Sequence, residues 1–340
     1  MGITSIATFL VLAGLMVIPS PYVVRSPGPT KDTLSSVNEQ DLISISNAKT
    51  YDTTGQLRLT TVGVSGGPGY PVNFGQVLRG WLDPTRAVYP VETVYPPDVS
   101  ADQIASQNQA EMVSSQENAT FAALSALGYD IPTTLNVALV LDGSPATGVA
   151  EGDVITALNG SAINGYDDLL ARLDAVEPGT EITLGYERDG KAAETTFKTI
   201  ANTEGKGSRL GIALDLNFDF PVDVTIAIDN IGGPSAGTMF ALGIMDKLTP
   251  EDEVNGKIIA GTGTMNTAGE VGAIGGIQQK LHGAQRDGAQ YFLAPKSNCD
   301  EVIGNVPDGL QVVAVSTLDQ AWDAVKAIGA DKAAGLPTCG

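Results

Sequence analysis

A single histidine, His282, and two cysteines, Cys299 and Cys339, are the only imidazole and thiol side chains in these 340 residues. A serine nucleophile in this chain therefore needs a base other than histidine, and lysine is the known substitute. Two cysteines without suitable partner ligands nearby make a poor metal site, and we expect neither a metal nor a cofactor. Basic residues are also scarce, 19 Lys and Arg against 39 Asp and Glu, for a formal net charge of −20. Binding a phosphate backbone needs clustered Lys and Arg, so nucleic acid is excluded as a partner, and the surplus acid serves solubility. No Gly-x-x-x-x-Gly-Lys-Ser/Thr string occurs, so these residues contain no nucleotide-phosphate loop.

What is present is a folding composition, 43% hydrophobic and 17% charged, in a chain long enough for about two or three domains. The one long apolar run is Ile3 to Ile18, ended by Pro19-Ser20-Pro21. It is slightly short for a membrane span; Val23 and Val24, or residues upstream, would extend it. A cleaved signal peptide needs a basic n-region and a small-x-small site, and neither is visible. The run thus reads as an uncleaved anchor over residues 1–24. The charges flanking it give no orientation, since Arg25 and Lys31 follow it and none precede it. The even cysteine count points instead to an exported chain with a Cys299–Cys339 disulfide. That bond would close a loop worth roughly 4 kcal/mol in the loop-entropy account and would imply an oxidising compartment; two unrelated free thiols are the alternative.

Residues 25–127 follow as an N-terminal extracytoplasmic region, with alternating strand-like stretches up to Val64, a break at Gly66-Gly67-Pro68-Gly69 and a helix over 101–127. Its Ser46-Asn47-Ala48-Lys49 has the spacing of a penicillin-binding nucleophile motif, but it lies in strand-like sequence with no Lys-Thr-Gly after it, so chance accounts for it. Residues 128–203 run strand, turn, strand, turn, amphipathic helix and hairpin. Ser144-Pro145-Ala146, Glu151-Gly152-Asp153-Val154-Ile155 and Asn159-Gly160 appear there in the order of a PDZ domain, which this stretch resembles. Such domains capture peptide ends by strand addition, although no carboxylate-binding loop is legible in it. From 207 to 340, strands and helices interleave as in a layered α/β or α+β domain.

Gly233-Pro234-Ser235-Ala236-Gly237 fits the Gly-x-Ser-x-Gly nucleophile elbow, but His282 lies 47 residues on and two positions from Lys280 on one helix, where their side chains diverge. Ser235 opens a helix, where unpaired N–H groups suit an oxyanion hole. Lys280, in Ile274-Gly275-Gly276-Ile277-Gln278-Gln279-Lys280-Leu281, borders an apolar face, where lost hydration would lower its proton affinity and make it a neutral base.

These motifs, with Thr262-Gly263 and Ala294-Pro295-Lys296-Ser297-Asn298, resemble the proteolytic domain of the Lon peptidase family, which uses a Ser-Lys dyad. The resemblance implies Ser235 as nucleophile, Lys280 as base, Thr262 as support for the lysine, and the fold of ribosomal protein S5 domain 2. Two positions depart from the family pattern: Gly232 replaces an Asp, leaving Asp229 as the nearest acid, and Thr264 replaces a Glu. Anchor, PDZ domain and Lon-type domain together resemble the membrane-anchored, PDZ-containing Lon-like proteases of Gram-positive bacteria and actinobacteria. The expectation is a multidomain α+β/α/β chain with an N-terminal transmembrane helix. It would act as an ATP-independent serine endopeptidase on unfolded or flexible polypeptides outside the cytoplasm, with homo-oligomers possible. A non-catalytic peptide-binding protein with a scaffold protease domain is the alternative.

Overall fold

The computed structural model describes residues 14, 18–37, 40–96, 99–203, 205–228 and 231–340. They form two compact units. One combines the N-terminal segment to Gly128 with Val222–Gly340; the other is Tyr129–Pro221, inserted between them.

In chain order, the first segment supplies strands β1 (Tyr22–Asp32) and β2 (Gln56–Ser65), helix α1 (Phe74–Leu82), β3 (Ala87–Pro90) and helix α2 (Ala101–Ala126). Both helices start on capping boxes, Asn73 with Gln76 and Ser100 with Gln103, in which each side chain bonds the other residue's backbone N–H. The inserted unit carries β4 (Thr133–Val140), β5 (Val154–Leu158), α3 (Gly165–Asp174), β6 (Glu181–Arg188), β7 (Lys191–Lys198) and β8 (Ile212–Phe218). These strands make an antiparallel sheet in the order β7-β6-β5-β4-β8 around its own core of Leu135, Leu158, Leu169, Ile182 and Leu184. The second segment adds α4 (Gly237–Leu248), β9 (Ile258–Gly261), α5 (Ile277–Arg286), β10 (Tyr291–Pro295), β11 (Gln311–Val315) and α6 (Leu318–Gly329).

The larger unit is built on one mixed sheet in the order β11-β10-β9-β2-β1-β3. β2 pairs in parallel with β9 and antiparallel with β1. Helix α4 is buried on every side from Gly237 to Asp246, as an all-round apolar helix must be. Its Met239, Phe240 and Ile244 share a core with Leu57 and Leu59 of β2 and Met112 and Ala119 of α2. Ile277, Leu281 and Ala284 of α5 pack on a second cluster with Phe292 of β10. Cys299 and Cys339 are disulfide-bonded.

Two expectations are corrected here. Among the described residues no helix is long and apolar enough to cross a membrane, so the transmembrane helix drops out of the fold class. Most of the Ile3–Ile18 run lies outside the described residues. The part that was to extend the span is strand: Pro19–Ser20 pairs with Val72–Asn73, and Val23 and Val24 are buried in β1. β-branched residues between prolines favour extended backbone over helix. Nor is 25–127 a separate region from 207–340. β1, β2 and α2 share a sheet and a core with β9–β11 and α4, whereas Ser208–Phe218 belongs to the inserted unit because β8 pairs with β4.

Asp246 on α4 is fully buried; the Thr53 hydroxyl and the Glu253 N–H approach its carboxylate, neither in a well-formed hydrogen bond. Burial, then the nearby Asp252 and Glu253, push its pKa from 3.8 up to about 7. The folded state therefore holds a proton that the unfolded chain releases above pH 4. Its stabilising effect is complete below the unfolded value and is lost as pH rises towards 7, at about 1.4 kcal/mol per pH unit. Asp246→Asn, which keeps the shape without the charge, should raise the melting temperature at pH 8 and change it little at pH 4, as read by thermal unfolding at both pH values.

Candidate active site

Where β9 ends, Thr262 and Gly263 turn the chain beneath the start of α4. Gly263 takes φ +150°, and a Cβ there would sit 2.4 Å from Thr238 Oγ1, so only glycine fits. The turn grips the Ser235 segment through three hydrogen bonds. Thr262 Oγ1–H and Gly263 N–H both donate to the Ser235 carbonyl, at 2.9 Å each, and Thr238 N–H donates to the Gly263 carbonyl at 3.1 Å. Ser235 lines a cavity together with Lys280.

Lys280 reaches the same cavity from α5. The helix is entered through Gly276, in the left-handed region at φ +71°, where a Cβ would meet Val62 Cγ2 at 2.8 Å. Lys280 Nζ donates to Thr262 Oγ1 at 2.8 Å, so one hydroxyl links the lysine to the Ser235 carbonyl. Only 2% of Lys280 is exposed. Burial alone draws its pKa from 10.5 down to about 7, which makes the free amine available near neutral pH. Ser235 and Lys280 thus line one cavity, with Thr262 bonded to the lysine amine and to the Ser235 carbonyl, while His282 is not among the cavity's lining residues. Ser46 and Lys49 form no site, since Ser46 Oγ bonds Asp223 and Lys49 Nζ lies over the Tyr51 ring.

The cavity, about 740 Å³, is walled largely by residues of the first segment. They include Arg25 of β1, Leu59 to Val64 of β2, and Asn108, Glu111 and Met112 of α2. Sequence reasoning assigned that segment no chemistry. Yet the Asn108 carbonyl accepts Gly233 N–H at 2.9 Å, and Ser115 Oγ donates to the Pro234 carbonyl at 3.0 Å. A serine on the stripe that also carries Met112 and Ala119 was the available signal. In the inserted unit, a second cavity of about 500 Å³ lies between α3 (Tyr166, Leu170, Leu173) and the stretch Arg209-Leu210-Gly211-Ile212 leading into β8. β8 is an edge strand. Among the described residues no group of three or more His, Cys, Asp or Glu side chains is arranged to hold a metal ion.

Ser115 holds the Gly233–Ser235 loop from a helix distant in sequence. Ser115→Ala should slow covalent labelling of Ser235 by a serine-directed phosphonate about tenfold, the scale set by small misplacements of a reacting group. The melting temperature should fall by only a few degrees, since one hydrogen bond is worth about 1 kcal/mol. Rate and melting curve on the same preparation check both.

Residues 218–326 match the Lon protease (S16) C-terminal proteolytic domain, and residues 109–199 match the PDZ domain. The chain is 27% identical over 191 residues to the Lon protease of Mesomycoplasma hyopneumoniae (strain 232), covering 54% of this chain and 21% of that protein. It is 34% identical over 132 residues to the Lon protease of Azospirillum brasilense, covering 38% of this chain and 16% of that one. It is also 36% identical over 85 residues to the periplasmic pH-dependent serine endoprotease DegQ of Escherichia coli (strain K12), covering 24% of this chain and 19% of that one. The chain spans between 16% and 21% of the length of these three relatives. With the geometry above, these matches identify a Lon-type serine peptidase domain in a chain that also carries a PDZ domain.

Proposed function

We propose that this protein is an endopeptidase that needs no ATP, in which Lys280 is the general base for nucleophilic attack by Ser235 and Thr262 holds the lysine. The observation that carries the reading is a buried, uncompensated Lys280, hydrogen-bonded to Thr262 and lining one cavity with Ser235.

The substrate is an extended polypeptide. β9 covers β2 only from Gln56 to Leu59, so beyond Leu59 this edge of β2 has no partner strand among the described residues. That free edge lines the cavity and offers backbone groups for strand addition. A strand laid there brings its scissile carbonyl to Ser235. Neutral Lys280 takes the Ser235 proton, the hydroxyl oxygen attacks the carbonyl, and backbone N–H groups of the turn leading into α4 stabilise the developing oxyanion. The ammonium then returns its proton to the leaving amine. A water molecule, deprotonated by Lys280, releases the acyl group from Ser235.

These residues contain no phosphate loop to power unfolding, so flexible or already unfolded chains are the fitting substrates. The inserted unit recruits them, seating a peptide end between α3 and the edge of β8. The disulfide supports action in an oxidising, extracytoplasmic compartment.

Arginine cannot shed its proton near neutral pH, so Lys280→Arg should be as inactive as Ser235→Ala on an unfolded protein. The wild-type kcat/KM should rise with pH through an ionisation near 7, because burial lowers the lysine's pKa and only its neutral form acts. Full activity in a folded Lys280→Arg variant would defeat the reading. Recruitment has its own test. Leu170→Glu puts a charge into the α3 groove and should raise KM for a protein substrate about tenfold, the effect of losing roughly 1.4 kcal/mol of binding. Cleavage of a short peptide should be unaltered in the same steady-state assay.

A further inference from the structure

Asn298 is a buried polar residue whose bonding the reaction described above does not use. Its Oδ1 accepts the Ile274 N–H at 2.9 Å, and its Nδ2 donates to the Ile274 carbonyl at 2.9 Å and to Glu301 Oε1 at 3.0 Å. A carboxamide paired with both backbone groups of one residue does the work of a neighbouring strand: it fixes that backbone in height and direction. Ile274 opens Ile274-Gly275-Gly276, the entry to α5. Two glycines in succession give the chain there great conformational freedom, so the lysine helix depends on an external anchor at this point.

The next residue, Cys299, carries the bond to Cys339. Cys339 packs against the cluster of Ile274, Ile277, Leu281 and Ala284 beneath α5. The disulfide, the Asn298 clamp and the apolar face of the lysine helix therefore meet in one small core.

We propose that Asn298 is a positioning residue for Lys280, clamping the entry of α5 so that the amine stays at Thr262 and out of water, and that the Cys299–Cys339 bond holds Asn298 in place. The inference rests on the Ser235–Lys280 reading of the site. Opening the bond takes a dithiol reductant. Its first thiolate attacks one sulfur and displaces the other as thiolate; its second thiol closes the reductant to a cyclic disulfide and leaves both cysteines reduced. A loosened clamp admits water to Lys280 and removes the burial that depresses its pKa. The charged side chains lining the same cavity are Arg25 from β1 and Glu111 from α2, and neither bonds Asn298.

The test follows Lys280 directly, by NMR of protein labelled at lysine Cε, titrated with pH in the full chain. Asn298→Ala should move the Lys280 ionisation up from about 7 by roughly one pH unit. It should also lower kcat at pH 7 by about tenfold with little change in KM. Wild type reduced with dithiothreitol, and the Cys299→Ser/Cys339→Ser double variant, should shift the ionisation the same way by less. A folded Asn298→Ala variant that titrates like wild type would overturn the proposal. If Asn298→Ala does not fold, an unshifted titration in the double variant overturns it. Absence of peptidase activity in wild type would defeat the dyad reading, and the titrations would still decide the positioning role.

Discussion

An ammonium group shut away from water, with no carboxylate beside it, is costly as a cation. Lys280 is in that position: 2% exposed, held by one neutral hydroxyl, with burial the sole cause of its shifted pKa. The fold escapes the cost near neutral pH by releasing the proton, and the product is a free amine beside a serine. An acidic partner for Lys280 would hold it as the cation and leave little free amine at neutral pH. The cavity's nearby acid, Glu111, instead accepts a hydrogen bond from Gln107. On this account, catalytic competence and local instability share one origin. Asp246 on α4 presents the opposite case, a buried acid kept protonated up to about the same pH.

The burial that Lys280 needs is assembled from chain segments far apart in sequence. β9 delivers Thr262, the start of α4 delivers Ser235, and α5 delivers Lys280, but the roof and walls come from β2 and α2 of the first segment. Because the PDZ-containing unit is inserted between α2 and Val222, the peptidase unit is complete only when its two halves meet. Asn108 with Gly233 and Ser115 with Pro234 are hydrogen bonds that join them at the loop before Ser235.

The sequence was informative where a motif is local. Gly232 to Gly237 and Ile274 to Leu281 each carry their own glycines and apolar residues, so Ser235 and Lys280 both stood out as candidates within short strings. Thr262 was recognisable only by resemblance, because its two bonds run to residues 27 and 18 positions away. Asn108, Ser115 and Asn298 were not assigned roles. Their significance lies in partners supplied by tertiary packing, which neither periodicity nor propensity encodes. The N-terminal apolar run misled in a physical way. Hydropathy alone carried it through Val23 and Val24, whereas the prolines and β-branched residues there put the chain into β1. The boundary after residue 203 failed for a related reason: β8 reads as a generic apolar strand, and only its pairing with β4 assigns it to the inserted unit.

The central claim is that neutral Lys280 activates Ser235. It is tested most directly by incubating the protein with a serine-directed phosphonate across a range of pH and locating the adduct by peptide mass mapping. The account predicts a single adduct on Ser235, forming at a rate that rises through an ionisation near pH 7 and is abolished in Lys280→Met. Labelling of Ser235 at an undiminished rate in Lys280→Met, or an adduct on another serine, would contradict it.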